Sequence, residues 1–137
     1  MNYGRIIIGG LLAGLVMNIG EFLLNDMVIG TQMKAFFAEH GFKEPGGSFI
    51  IVAVLMTFIV GIVAVWLYAL IRPRVGAGPK AAIIAAVVLW FAVYLYPGVI
   101  NMFLFGIPMN MMIIAFVWGL VEYVLATIAG AWAYKEA

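Results

Sequence analysis

The stretch MNMMIIAFVWGLVEYVLATIAGAWAY (residues 109–134) decides the fold, because it is long, apolar and contains one acidic or basic residue, Glu122. A run of about 20 apolar residues is long enough to cross the hydrocarbon core of a bilayer as a helix. A charged side chain near the centre of such a helix costs about 2.5–3.5 kcal/mol on insertion scales. Glu122 is therefore expected to face protein or trapped water, and it is the first candidate for a functional site.

Three further runs, residues 6–24, 49–71 and 81–105, are similarly apolar. Hydrophobic residues make up 67% of the chain and charged residues 9%, against about 45–50% and 25% in soluble domains. Lipid must therefore solvate much of the surface. The sequence predicts a single all-α membrane domain over residues 1–137, built as a bundle of four transmembrane helices.

A short amphipathic helix is predicted between the first two spans, over residues 31–42. Met33, Phe36 and Phe37 recur there at helical spacing, and polar residues such as Lys34 and Glu39 lie mostly around the other side. This pattern is typical of a helix that lies in the membrane interface. A lid over the outer end of a cavity is the alternative interpretation.

The composition of the chain argues against several classes of function. The chain has no cysteine and one histidine, His40, which lies between the first two spans, so we expect no disulfide, no Fe–S cluster and no bis-histidine haem. Methionines cluster at Met102, Met109, Met111 and Met112 without nearby cysteine or histidine, which favours packing over copper binding. With a net charge of +1 and no basic stripe, nucleic acid is not an expected partner. We expect no cofactor, no metal site and no enzymatic activity.

Helical phase predicts which face of each span points inward. On the first span, Gly10, Gly14, Asn18 and Glu21 share one stripe, and the first two form a G-x-x-x-G spacing that permits close helix approach. Small or polar residues also share one face on each of the other spans. These faces contain Thr57 and Gly61 on the second span, Tyr94 on the third, and Gly119 and Glu122 on the fourth.

Depth predicts that some of these side chains meet. Counted from one side of the membrane at 1.5 Å per residue, Asn18, Thr57, Tyr94 and Glu122 all lie about 20 Å deep, with Glu21 about one turn further. One interpretation is a structural polar layer, in which the other side chains hydrogen-bond a protonated Glu122. A second is a proton or cation site that uses Glu122 and Glu21. A catalytic carboxyl pair is the third.

Four segments, AGLVMNIGEF (13–22), WLYALIRPR (66–74), GPK (78–80) and WGLVE (118–122), together resemble small four-span integral membrane proteins of bacteria with no assigned activity. The resemblance implies the membrane fold and no particular reaction.

Two classes of function fit these observations. The first is a non-catalytic membrane protein, either an accessory or assembly subunit of a larger membrane complex or a homo-oligomer packed through its glycine faces. The absence of cofactor ligands favours this class. The second is a proton- or cation-coupled small transporter or channel that uses Glu122 and Glu21. In both cases the lipid bilayer is the expected surrounding.

The basic residues predict the orientation, because loops on the cytoplasmic side of a membrane are enriched in lysine and arginine. Lys34 and Lys43 lie on one side of the four predicted spans. The other side contains Arg5, Arg72, Arg74, Lys80 and Lys135. We therefore expect a protein of the bacterial inner membrane with both termini in the cytoplasm.

Reporter fusions test this orientation. A reporter that is active only in the cytoplasm should give signal when fused at Ala137 and none when inserted within residues 31–44, because the positive-inside rule places these points on opposite sides. The reverse pattern would refute the orientation and invert every depth argument above.

Overall fold

A computed structural model of the protein describes residues 1–134, and all regular secondary structure within them is helical. Two of the helices continue into π-helical turns, at Leu23–Val28 and at Phe91–Leu95. The α-helices are α1 (Tyr3–Phe22), α2 (Gly30–His40), α3 (Gly47–Val75), α4 (Pro79–Trp90), α5 (Tyr96–Phe105) and α6 (Met109–Ala133).

Within residues 1–134, four continuous helical segments are long and apolar enough to cross a membrane: Tyr3–Val28, Gly47–Val75, Pro79–Phe105 and Met109–Ala133. Within these residues, the prediction of an all-helical fold with four helices that suit a multi-pass membrane protein is confirmed. The first three segments extend beyond the predicted runs, since a helix does not have to end where its apolar stretch ends.

The turn between the second and third spans is shorter than the sequence indicates. The predicted apolar runs leave residues 72–80 between these two spans, but α3 continues through Pro73 to Val75. A proline near the end of a helix removes one backbone hydrogen bond without ending the helix. The chain turns at Gly76 and Gly78, whose φ angles of 99° and 123° favour glycine.

Each span packs against the next span along the chain, and the fourth span also packs against the first. α1 packs against α3 and α6, and α4 packs against α3 and α6. We call the end where α1 begins and α6 ends the base of the bundle, and the opposite end the top.

Small residues form the core at the base. Ala64, Ala82, Ala86 and Ala126 are completely buried there. Glycines bring the backbones together: a Cβ atom at Gly10 would collide with the backbone of Ile62, and one at Gly61 would collide with Gly10 and Gly14. In a bilayer, such close contacts between small residues are a main source of helix association.

The top of the bundle is less tightly packed on one side. α1 and α6 stay together there, with Leu24, Met111 and Ala115 in a second core that also includes Ile29. In contrast, neither residues 47–59 of α3 nor α5 contain a buried residue. The described part of the bundle is thus closed at the base and open between its second and third spans at the top.

Replacing Gly10 with alanine tests the close approach of α1 to α3. The new Cβ would overlap the Ile62 backbone, and overpacking of this kind typically costs about 1–3 kcal/mol. Gly4→Ala in the same helix is the matched control, because its nearest neighbour would be Asn2 Oδ1 at 3.6 Å. Thermal unfolding in detergent should show a lower Tm for Gly10→Ala only. Equal Tm values would mean that the two helices are not in contact at Gly10.

Candidate functional site

Glu122 is buried at the interface of α6 with α1. Its side chain is 5% exposed, and within residues 1–134 neither of its carboxyl oxygens has a hydrogen-bond partner. Buried polar groups in proteins nearly always have such a partner. The lack of a donor to Glu122 is therefore the feature of the structure that most requires an explanation.

Glu21 of α1 provides the nearest charged neighbour. Its carboxyl group lies beside that of Glu122, although no hydrogen bond joins the two side chains. An ionised carboxylate can only accept hydrogen bonds, so such a bond would form only when one of the two groups is protonated. Two ionised carboxylates in a low-dielectric site repel each other. The arrangement thus provides a place for one proton, or for one cation, between α1 and α6.

Tyr94 adds a third span to this cluster. Its hydroxyl group donates a hydrogen bond to Glu21 Oε2 at 3.2 Å. The ring lies directly against Gly119 of α6 and packs edge to face against Tyr123, with ring centroids 5.6 Å apart. Because Gly119 has no side chain, the phenol can cross the face of α6 and reach α1.

Gly20 and Trp118 complete the cluster, although the sequence did not single them out. A Cβ atom at Gly20 would collide with Glu122 Oε1, so glycine leaves the space that the carboxyl group occupies. Trp118 Nε1 donates a hydrogen bond to the Gly20 carbonyl at 2.9 Å. A sequence signal for both residues exists: Gly20 directly precedes Glu21, and Trp118 lies one helical turn before Glu122.

The other two members of the predicted polar layer, Asn18 and Thr57, form hydrogen bonds to backbone carbonyls and not to Glu122. Asn18 Nδ2 donates to the Gly14 carbonyl at 3.0 Å and to the Val54 carbonyl at 3.4 Å. Thr57 Oγ1 donates to the Ala53 carbonyl at 2.7 Å. Short polar side chains can satisfy themselves on the preceding turn of their own helix. Equal depth therefore did not bring Asn18 or Thr57 to Glu122.

Two of the three spans that form this cluster, the first and the third, contain a π-helical turn near it. The first turn, Leu23–Val28, begins two residues after Glu21, and the second, Phe91–Leu95, contains Tyr94. Asn25 Nδ2 donates to the Glu21 carbonyl at 2.8 Å, and Pro97 has no N–H group to offer to the turn before it. π-helical turns inside α-helices occur frequently at functional sites.

A groove runs between α1 and α6 beside the carboxyl pair and has a volume of about 670 Å³. We call it the α1–α6 groove. Glu122 and Trp118 are its lining residues with polar side-chain atoms, and the carboxyl oxygens of Glu122 are buried behind the groove wall. Its remaining lining residues are Val16, Ile19, Gly20, Leu23, Ile113, Ile114, Val117, Val121 and Leu125.

Comparisons with known proteins do not identify a relative: the chain matches no protein-family model, no curated protein and no solved structure. Within residues 1–134, no group of three or more histidine, cysteine or acidic side chains could hold a metal ion. Any assignment of function therefore depends on the geometry of the carboxyl pair.

Gly20→Ala tests the position of the Glu122 carboxyl. The added methyl group would displace Glu122 Oε1, and we expect a loss of about 1–3 kcal/mol in stability. In a Glu122→Ala background the space is free, so the same change should cost little. A double-mutant cycle of unfolding free energies measures this coupling. Additive effects would mean that Gly20 and Glu122 are not in contact.

Proposed function

We propose that this protein is a non-catalytic membrane protein that binds a proton or a cation at Glu21 and Glu122 and couples it to transport. The observation that supports this most directly is the buried Glu122 carboxyl, which lies beside a second carboxyl group and lacks a donor within residues 1–134. Acidic residues inside membrane spans frequently mark ion and proton pathways.

A purely structural role for Glu122 is less consistent with these contacts. In that role, side chains from the neighbouring helices would donate hydrogen bonds to the carboxyl group. Asn18 and Thr57 donate to backbone carbonyls instead, and the Tyr94 hydroxyl donates to Glu21. A carboxyl group that binds a proton or a cation needs its oxygens available, and a fixed hydrogen-bond donor would occupy them.

The uneven packing of the bundle supports a route to the carboxyl pair from one side. The small-residue core closes the base, whereas α5 and residues 47–59 of α3 have no buried residues. Alternating access requires a site that is open to one side of the membrane at a time. The carboxyl oxygens of Glu122 are buried in the described arrangement. Access from the top therefore requires a movement, and the π-helical turns near Glu21 and Tyr94 are places where a helix could bend.

For the membrane context, we propose the bacterial inner membrane, with the base in the cytoplasm as the basic residues indicate. In this orientation α2 lies in the outer interface. The burial of Phe36 and the aromatic contacts from α2 through Phe42 to Phe105 are consistent with this position. Lys34 and Glu39 are exposed, where they can meet lipid headgroups or water.

Proton flux through reconstituted protein tests the proposal. Liposomes that contain the protein and an internal pH-sensitive dye should dissipate an imposed pH gradient faster than empty liposomes. Glu122→Gln and Glu21→Gln should each reduce this flux while the fold is kept, because an amide has nearly the shape of a carboxylic acid but cannot take up the proton.

Glu44→Gln is the control, since Glu44 is an exposed acid outside the spans. A flux that persists unchanged in the Glu122→Gln, Glu21→Gln double variant would refute the proposal. So would the absence of any flux above that of empty liposomes, in gradients of either direction and with sodium or potassium present.

A second candidate function, an accessory or assembly subunit or a homo-oligomer, is favoured by a separate observation. The apolar side chains at the top of the second and third spans, including Phe49, Leu55, Phe103 and Leu104, are exposed within the monomer. They could pack against another membrane protein or against a second copy. Native mass spectrometry after mild extraction distinguishes the two: a stable heteromeric partner favours the subunit, and a monomer or homodimer with proton flux favours the transporter.

A further inference from the structure

The α1–α6 groove faces outward rather than toward the bundle centre. Its lining residues Ile19, Ile113, Val117, Val121 and Leu125 are 52–59% exposed in the monomer. In a membrane, these side chains border lipid. A molecule dissolved in the bilayer could therefore enter the groove sideways, without passing through water.

The size and lining of the groove restrict what it can hold. A volume of about 670 Å³ lies within the range of about 300–1,000 Å³ that is typical of small-molecule sites. The walls are apolar, and the buried Glu122 carboxyl and the Trp118 indole are the polar side-chain groups next to them. The Trp118 N–H group already donates to the Gly20 carbonyl. What the indole can still offer a ligand is its ring face, which attracts cations.

Charge complementarity selects among the amphiphiles that would fit these walls. Anionic lipids and fatty acids would bring a negative head toward a pair of carboxyl groups. A neutral amphiphile without a donor would leave the oxygens of Glu122 unpaired. A calcium or magnesium ion needs about six or more oxygen ligands or waters, which apolar walls do not supply. A molecule with a single positive charge on an apolar body can pair its charge with the carboxyl group and pack its apolar part against the walls.

We propose that the α1–α6 groove binds an amphiphilic monocation from the bilayer, such as an alkylammonium, with its head at Glu122 and Trp118 and its chain along the apolar walls. This inference rests on the proposed proton or cation site and names the class of its substrate. The Glu122 carboxyl packs against Gly20, which itself lines the groove, so binding requires this buried carboxyl to turn past Gly20 toward the groove. Since the head group and the proton compete for one pair of carboxyl groups, binding at neutral pH releases a proton from a protonated pair.

The binding test uses dodecyltrimethylammonium and the protein in nanodiscs of zwitterionic lipid. Saturable binding should be measured with the labelled cation against empty nanodiscs. Glu122→Gln should weaken it at least about ten-fold, as expected when one partner of a buried charge pair is removed. Trp118→Leu should weaken it about three-fold or more through loss of the cation–π contact. Dodecanol and dodecyl sulfate should compete poorly.

Two tryptophan substitutions locate the binding site. Val117→Trp should fill the groove and abolish saturable binding, because Val117 lies in its wall. Val88→Trp is the matched control: Val88 is 54% exposed on α4 and is not part of the groove lining. Equal binding by both variants would overturn the inference, as would binding that Glu122→Gln leaves unchanged. The melting temperature of each variant excludes misfolding as the cause.

Proton release, measured with a pH dye in weak buffer during the same titration, separates the inference from the proposed function. Binding with proton release that is lost in Glu122→Gln supports both. Proton flux in liposomes without any saturable binding of the cation overturns the amphiphile proposal and leaves the carboxyl pair as a proton site. The absence of both flux and binding overturns both.

Discussion

The close approach of α1 to its two neighbours is the contact on which the rest of the structure depends. Gly10 and Gly14 bring α1 against α3, and Gly9 meets Gly130 of α6. In lipid, apolar side chains gain little by leaving one apolar environment for another, so backbone contact through small residues is a principal source of helix association. The same approach continues to Gly20, where α1 leaves space for the carboxyl group of Glu122.

This contact also explains why a costly residue can lie inside the bundle. Glu122 packs against the backbone of α1 at Gly20 rather than against hydrogen-bond donors. Glu21 and Tyr94 place a second carboxyl and a phenol in the same cluster. A donor-poor pair of acids is unfavourable for stability alone, and proteins tend to retain such features where binding or transport uses them.

The packing on the two sides of this cluster differs in a way that is relevant to the proposed transport. Below it, alanines and glycines from all four spans form a dense core. Above it, α1 and α6 remain paired under α2, whereas the second and third spans separate. The carboxyl pair thus lies at the boundary between a closed and an open half. The α1–α6 groove provides a separate approach from the bilayer, so the proposed ion and the proposed amphiphile would reach the same acids by different routes.

The sequence by itself determined the four membrane helices, because uninterrupted apolar runs of this length have no other stable environment than a bilayer. It also singled out Glu122 and Glu21 as the acids within spans, since their charge is costly in lipid. Only the tertiary structure decided which side chains meet them. Helical phase and depth describe one helix at a time. They could not show that Asn18 and Thr57 bond to nearby backbone, or that Gly20 makes room for the Glu122 carboxyl while its carbonyl accepts a hydrogen bond from Trp118. Those contacts depend on how the helices are rotated against each other, and that rotation is set by the glycines through which the backbones touch.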